Sequence, residues 1–303
     1  MNDPSSSVES TIAVVTVSYR SEHVLGAFLA SLPRASHAPL EAVVVDNQPD
    51  LSGTVEHMTT SAGARYLPQD RNRGYGAAMN AGVATLGPHI EWILISNPDV
   101  VLTPGAVDKL IAAAADSRVG AVGPAIRNED GSVYPSARSV PSLRTGIGHA
   151  LFSNIWLGNP WTRAYRLDSE AEPMPRDAGW LSGACLLVRR AVFDELGGFD
   201  DAYFMYFEDV DLGYRLGKAG YLNRYEPAAV VVHSGAHSTT SESTRMIAAH
   251  HASARRFLSS KYSGWYLWPV RLVLRVGLAL RSRALIRRLQ RSRRDPLQAS
   301  ERS

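Results

Sequence analysis

The chain has a single cysteine, Cys185. No internal disulfide can form, and a reducing compartment is expected. No apolar run reaches about 18 residues, so no ordinary membrane-spanning helix is expected. The opening stretch, MNDPSSSVES, has neither a basic segment nor an apolar one. It does not read as a signal peptide, and residues 1–10 are expected to be disordered. There is no internal repeat and no low-complexity segment. Acidic residues are missing from the whole interval Arg245 to Arg294. That last absence divides the chain. Residues 1–242 hold 18 Lys and Arg against 27 Asp and Glu, a balance of −9. Residues 243–303 hold 14 against 2, a balance of +12. An acidic body with a basic tail gives the tail an anionic partner, either nucleic acid or an anionic membrane surface.

What is present reads as α/β. With 303 residues, 45% of them hydrophobic, the chain suits one large α/β domain or two small ones. Thr11 to Ser18, Leu40 to Val45 and Trp92 to Ile95 are nearly all apolar, as parallel strands buried on both faces should be. Val119–Val122, Ala184–Val188 and Ala228–Val232 read as further short strands. Val24, Phe28 and Leu32 predict a helix over 21–32 with Ser21 as its cap. Helices are also predicted over Gly74–Leu86 and Pro104–Ala115. The alternation implies a doubly wound, mostly parallel, Rossmann-like sheet. Residues 127–180 lack periodicity and read as loops over a site. Polar residues gather where strands end, at Asp46-Asn47 and Asn97-Pro98-Asp99. In open α/β sheets, ligands bind beyond those carboxyl ends.

The densest chemistry lies at Phe204-Met205-Tyr206-Phe207-Glu208-Asp209-Val210-Asp211-Leu212. Three carboxylates within four residues follow an aromatic block. Carboxylates against apolar side chains have raised pKa values, which suits a general base working near neutral pH. The same acids suit a helix start, with Asp211 as cap and Leu212, Leu216 and Ala219 facing a core. Asn97 and Asp99 carry oxygens that can share one hard cation, Mg²⁺ or Mn²⁺, with substrate phosphates; Asn-Pro-Asp is also good turn chemistry. Asn72-Arg73-Gly74-Tyr75-Gly76 opens a helix whose exposed amides suit an anion or a sugar nucleotide. Its spacing is not G-x-G-x-x-G, so no nicotinamide site is expected. His233, just past the last apolar strand, can complete a metal site or donate to a diphosphate; His237 is the weaker candidate. The adjacent His250 and His251 diverge on a helix and do not form a ligand pair. Backbone near Gly183 can line a sugar pocket, and Cys185 reads as buried filler.

Taken in order, these motifs resemble family 2 glycosyltransferases with the GT-A fold. The resemblance rests on Val14–Tyr19, Asp46-Asn47, Asn72-x-Gly74-Tyr75-Gly76-x-x-x-Asn80, Asn97-Pro98-Asp99, Gly183, Glu208-Asp209-x-Asp211-Leu212 and His233. It covers roughly residues 11–240. Segments 130–138, 179–183 and 203–206 are most similar to rhamnosyltransferases of cell-wall assembly. The resemblance implies a GT-A domain over 11–242 and a membrane-associating tail over 243–303. It assigns donor binding to Thr16, Ser18, Tyr19, Asp46, Asn47, Asn72, Gly74, Tyr75, Asn80, Asn97 and Gly183. It assigns metal binding to Asp99, with Asn97 and His233 in support. Asn97 stands where the family usually has aspartate, which removes one negative charge from the metal site. Asp209 takes the place of the general base, with Glu208 and Asp211 as the other candidates. The implied reaction is inverting transfer of L-rhamnose from dTDP-L-rhamnose to polyprenyl-diphospho-GlcNAc, in arabinogalactan linker synthesis. Another sugar-nucleotide donor, or a polysaccharide or lipid acceptor, is the alternative within the family. The implied location is cytoplasmic, peripheral on the inner face of the cell membrane.

The tail agrees with a lipid-linked acceptor. Trp265, Tyr266 and Trp268 precede a segment in which Arg271 and Arg275 share one face, with Leu272, Val273, Val276 and Leu280 over the opposite arc. Such a helix suits a membrane interface. Arg287, Arg288, Arg291, Arg293 and Arg294 then meet anionic headgroups. The rival reading, a nucleic-acid-binding arm, leaves the acidic body and its carboxylates unexplained. A sugar-nucleotide-forming nucleotidyltransferase would want a Gly-rich loop, and Ser18-Tyr19-Arg20-Ser21 has no glycine.

Overall fold

A computed structural model describes residues 11–49, 51–142, 174–235, 243–277 and 279. The N-terminal ten residues, His237, Leu280 and the arginines of 287–294 lie outside the described residues. The chain divides into two compact units, one of residues 1–201 and 208–236, the other of residues 202–207 and 237–303.

The first unit is an α/β layer structure. Its strands are β1 (Ile12–Ser18), β2 (Leu40–Asp46), β3 (Arg65–Pro68), β4 (Trp92–Ser96), β5 (Val100–Leu102) and β6 (Val119–Asn128). They continue with β7 (Val133–Tyr134), β8 (Ala137–Arg138), β9 (Arg176–Ala178), β10 (Trp180–Leu181), β11 (Cys185–Arg189) and β12 (Leu222–His233). The main sheet runs β3-β2-β1-β4-β11-β6-β12-β5. It is parallel through β3, β2, β1 and β4. Strand β11 then enters antiparallel between β4 and β6, and β12 runs parallel to β6. A small two-stranded sheet pairs β10 with β8. The expected α/β architecture is present, and the loop region read over 127–180 contributes four short strands.

Both faces of the sheet are covered, which is why its central strands are largely apolar. Side chains alternate along each strand. Val14, Val44 and Leu94 face α1 (Glu22–Ala35), α2 (Thr54–Ser61) and α4 (Ala106–Ala113), burying Leu25, Phe28, Val55 and Leu110. Val15, Val45 and Ile95 face α3 (Tyr75–Val83), α5 (Arg190–Glu195) and α6 (Glu208–Lys218), burying Met79, Phe193, Leu212 and Leu216. Ala219, expected in that core, is exposed beyond the helix end. Ser21 precedes α1 but caps it only through its carbonyl, which accepts from Val24 and Leu25. Its hydroxyl turns back to Tyr19, holding the loop after β1.

Helix α3 rides close on the sheet at Gly82. A Cβ there would lie 2.5 Å from Val15 Cγ1 and 2.8 Å from Val45 Cγ2. Gly82→Ala is therefore expected to destabilise the fold by about 1–3 kcal/mol through overpacking. Urea denaturation would measure this as a lower midpoint at unchanged slope.

In the second unit, residues 202–207 pack with α7 (Ser243–Lys261). Phe207 lies 5.7 Å from Phe257 and 5.4 Å from His250 between ring centroids. Ser253 Oγ donates to the Met205 carbonyl at 2.9 Å. His250 and His251 do not share a ligand position, as expected: His251 Nδ1 meets the Ile247 carbonyl, while His250 packs on Tyr206 and Phe207. Tyr206 and Phe207 both take left-handed backbone conformations, with φ of 66° and 67°. Each costs on the order of 1–2 kcal/mol for an L-residue. Residues 268–277 are helical, and Trp265, Tyr266, Trp268, Leu272, Val273 and Val276 are exposed. Arg271, read as part of a polar face, donates to the carbonyls of Tyr262 and Gly264 and so ties the segment to α7's end. Among the described residues no helix is long and apolar enough to cross a membrane.

Candidate active site

The site is assembled at Gly183, on the link between β10 and β11. Its N–H donates to Asp209 Oδ2 at 2.9 Å, and its carbonyl accepts the Tyr75 hydroxyl at 2.7 Å. A Cβ at Gly183 would stand 3.3 Å from Asp209 Cβ, 3.6 Å from Asp209 Oδ2 and 3.7 Å from Tyr75 Cε1. Only glycine lets these chains meet so closely without displacement. Three motifs far apart in sequence therefore converge at one residue. The next residue joins a fourth: the Ala184 carbonyl accepts the Asn97 N–H at 2.9 Å. That bond fixes the Asn97-Pro98-Asp99 turn after β4.

Asp209 stands in the first turn of α6, where N–H groups are unpaired and the helix end is positive. Its Oδ1 accepts the Val210 N–H at 2.8 Å. Burial raises its pKa above the ordinary aspartate range, while the amides of Gly183 and Val210 and then the Arg138 charge pull it back. Glu208 is buried, and its Oε2 has no hydrogen-bond partner. A Cβ on Gly76 of α3 would lie 3.6 Å from Glu208 Cβ, so helix α3 closes over it. Burial, and then the neighbouring Asp209, push the Glu208 carboxyl up to about 8. Burial raises the Tyr75 phenol well above its usual range, and the carboxylates of Glu208, Asp209 and Asp99 add to this. One phenol thus feels both the acidic cluster and the Asn-Pro-Asp turn.

Glu208 has a measurable consequence. Between about pH 4.5 and 8 the folded chain keeps the proton and the unfolded chain has lost it. Stability therefore falls as pH rises through that window. Glu208→Gln removes the titration, so the variant should gain stability relative to wild type between pH 5 and 8. Chemical denaturation at the two pH values would check the sign.

Asp99 and His233 meet where β4 and β12 end. The Asp99 carbonyl accepts the Ser234 N–H at 3.0 Å, joining the turn to the end of β12. His233 Nε2 lies 3.1 Å from Asp99 Oδ1 without hydrogen-bond geometry, and both atoms are buried with no hydrogen-bond partner. The Asp99 carboxylate and the His233 imidazole, paired at this distance, offer an oxygen and a nitrogen that suit a shared cation. Asn97 is half-buried beside them. Among the described residues no three His, Cys, Asp or Glu side chains gather as a complete metal site. A cation here would need substrate oxygens and water to fill its shell.

The remaining expected residues lie at the ends of β1 and β2 and the start of α3. Thr16 Oγ1 and Ser18 Oγ are buried without partners. Asp46 accepts from Tyr66 and from the Gln48 N–H. Asn47 donates to Asn72 Oδ1 and the Gly74 carbonyl, and its own Oδ1 is unpaired. Asn72 Oδ1 also accepts the Gly74 N–H, holding Gly74 at φ 98° where the chain turns into α3. Tyr19 lies on the loop after β1, its ring under the Arg20 guanidinium.

Two expected site residues carry structure. Asn80 spends both amide hydrogens on the Phe199 carbonyl and Asp201 Oδ1, and its Oδ1 takes the Phe199 N–H. It holds the loop between α5 and α6, and its amide is committed there. Asp211 pairs with Arg215 at 2.6 Å one turn along α6, and that arginine also donates to the carbonyls of Leu196 and Gly198. It ties the helix to the same loop and caps nothing. Cys185 is buried, as expected, and burial pushes its thiol up to about 12. Sequence reasoning gave no role to Arg138, whose charge reaches Asp209. The only signal was its place in segment 130–138, since a lone arginine in an aperiodic stretch carries none.

The profile of Glycosyl transferase family 2 matches residues 13–197. A relative from Mycobacterium tuberculosis (strain ATCC 25618 / H37Rv), named N-acetylglucosaminyl-diphospho-decaprenol L-rhamnosyltransferase, is 47% identical over 306 aligned positions. The alignment covers 96% of this chain and 98% of the relative. Among solved structures, a mannosyltransferase from Pyrobaculum calidifontis in complex with GDP-Man and Mn²⁺ superposes with a TM-score of 0.57 at 15% identity. That match covers 92% of this chain and 74% of the other. GalNAc-T7 with UDP, GalNAc and Mn²⁺ superposes with a TM-score of 0.54 at 16% identity, over 74% of this chain and 44% of the other. The two structures are alike in fold. The chain belongs to glycosyl transferase family 2 and is a glycosyltransferase.

Proposed function

We propose that this enzyme transfers L-rhamnose from dTDP-L-rhamnose to the GlcNAc residue of a decaprenyl-diphosphate carrier. Support for the substrates is the near full-length similarity to the Mycobacterium tuberculosis relative, whose name states that acceptor and sugar. Support for the chemistry is one observation: a half-buried carboxylate, Asp209, fixed by two backbone amides beside Gly183.

Asp209 accepts the proton of the acceptor hydroxyl. That oxygen forms its bond to the anomeric carbon as the bond to the dTDP oxygen breaks, and dTDP leaves with the electron pair. One displacement inverts the anomeric centre, so no covalent nucleophile is required. Burial raises the Asp209 pKa, which suits a base that takes up a proton, and its amide donors partly offset the rise. The unpaired hydroxyls of Thr16 and Ser18, with Asp46 and Asn47, hold the nucleoside. Asn72 and Gly74 shape the turn beside them, and Tyr75 and Gly183 floor the sugar pocket. Asp99 and His233, with Asn97 alongside, would hold Mg²⁺ or Mn²⁺ beside the donor diphosphate. When bound, such an ion neutralises charge on the departing nucleotide. The exposed aromatic and aliphatic residues of 265–276 dock the enzyme on an anionic membrane surface, the inner face of the cell membrane, where the lipid acceptor lies.

The test is transfer from dTDP-L-rhamnose, against UDP- and GDP-linked sugars, to a polyprenyl-diphospho-GlcNAc. Rhamnosyl product from the dTDP donor alone is expected, and preference for another sugar nucleotide would refute the donor. Flotation with anionic liposomes is expected at a salt concentration where the protein does not retain DNA.

A further inference from the structure

Building on that reaction, we propose that Arg138 is the anchor for the diphosphate of the acceptor. The residue ends β8 and pairs across the small sheet with Trp180 of β10. Its guanidinium lies 5.5 Å from the Tyr134 ring centroid and 5.7 Å from that of Trp180. Its Nε donates to the Pro135 carbonyl at 2.7 Å. The two terminal nitrogens make no hydrogen bond or ion pair among the described residues. A half-buried arginine, held by two rings and one carbonyl, thus presents an empty fork. Bidentate forks of this kind match phosphate oxygens, and a weakly hydrated guanidinium suits a partly dry site.

The support under Arg138 is closely packed. The Trp180 indole N–H donates to the Ser139 carbonyl at 3.1 Å. A Cβ on Gly213 of α6 would stand 2.6 Å from Trp180 Cβ, and one on Gly179 would stand 2.4 Å from the Val140 nitrogen. Backbone and side chains therefore approach closely on both sides of the β8–β10 pair.

Position argues for the acceptor. From Trp180 the chain runs through Leu181 and Ser182 to Gly183, the residue that holds Asp209. Three residues of chain span at most about 10 Å. The charge of Arg138 is near enough to act on Asp209. An acceptor sugar offers its hydroxyl on one side of the ring and its diphosphate on the other. With the hydroxyl at Asp209, the diphosphate falls one ring and one phosphate away, a distance of that order. The body of the chain carries a balance of −9, so a diphosphate approaching it needs a local cation. The donor also carries a diphosphate, but its candidate residues lie at the ends of β1, β2, β4 and β12.

Steady-state kinetics with polyprenyl-diphospho-GlcNAc, and calorimetry with dTDP, distinguish the two diphosphates. Arg138→Gln is expected to raise the acceptor KM at least tenfold and leave dTDP affinity within twofold. Arg138→Lys, which keeps a charge without the fork, should recover part of the loss and serves if the glutamine variant does not fold. An unchanged acceptor KM in either variant, or an equal loss of dTDP affinity, would overturn the assignment. Wild-type enzyme giving no rhamnosyl product from this acceptor would overturn the proposed reaction itself.

Discussion

Asp209→Asn should lower turnover by about 10²–10⁴-fold, the range for loss of a general base. Donor affinity should stay within twofold. The amide keeps the size of the side chain and one oxygen for the Gly183 N–H, losing the bond from the Val210 N–H, so the junction of β10, α3 and α6 survives. What it loses is the lone pair that takes the proton. The wild-type pH profile carries the same signature. Asp209 must be ionised to act, so kcat/KM is high above its pKa and falls as pH drops through it. Burial raises that pKa, so the fall begins at a higher pH than for an exposed aspartate. The variant should lack this acid limb. Gly183→Ala should act in the same direction, because its Cβ would press on Asp209 from 3.3 Å.

Asp99→Ala should lower turnover by roughly 10²–10³-fold, about what one lost element of leaving-group electrostatics costs. It should also abolish Mn²⁺ binding in the presence of dTDP, measured by calorimetry. Asp99 supplies the only carboxylate at the end of β4, because position 97 is asparagine. His233→Ala should weaken Mn²⁺ binding by about 10–100-fold, the usual effect of removing a supporting group. Chelation of wild-type enzyme should give the loss seen in Asp99→Ala, and further chelation of that variant should change nothing. Full Mn²⁺ affinity in the alanine variant would place the ion elsewhere.

Much of the fold was legible because its central strands carry it in their composition. Strands β1 and β4 are buried throughout and β2 is buried over its second half, so all three are largely apolar runs that no helix period explains. Edge strand β3, Arg65-Tyr66-Leu67-Pro68, has two exposed residues and no such run. Strand β5 is three residues long, and β7 to β10 are two or three each. Too few positions are present there to show a period. The antiparallel entry of β11 between β4 and β6 depends on pairing between distant segments, which local pattern does not encode.

The candidate site can be proposed from sequence where chemistry and sequence position coincide. Asp209, Asp99 and His233 stand at element ends, and polar residues at strand ends are a readable signal. Asn80 and Asp211 also belong to recognisable motifs, but the partners the fold gives them are set in space. Asn80 meets a loop 119 residues away, and Asp211 meets an arginine on its own helix. Arg138 was invisible because its value comes from pairing with Trp180, 42 positions on.

Anomalous diffraction from Mn²⁺, in crystals grown with dTDP, tests the central claim most directly. One peak is predicted, in contact with Asp99 and on the same side of the sheet end as Gly183 and Asp209. A peak on another face of the first unit, or an Asp209 carboxylate turned away from the ion, would contradict the account.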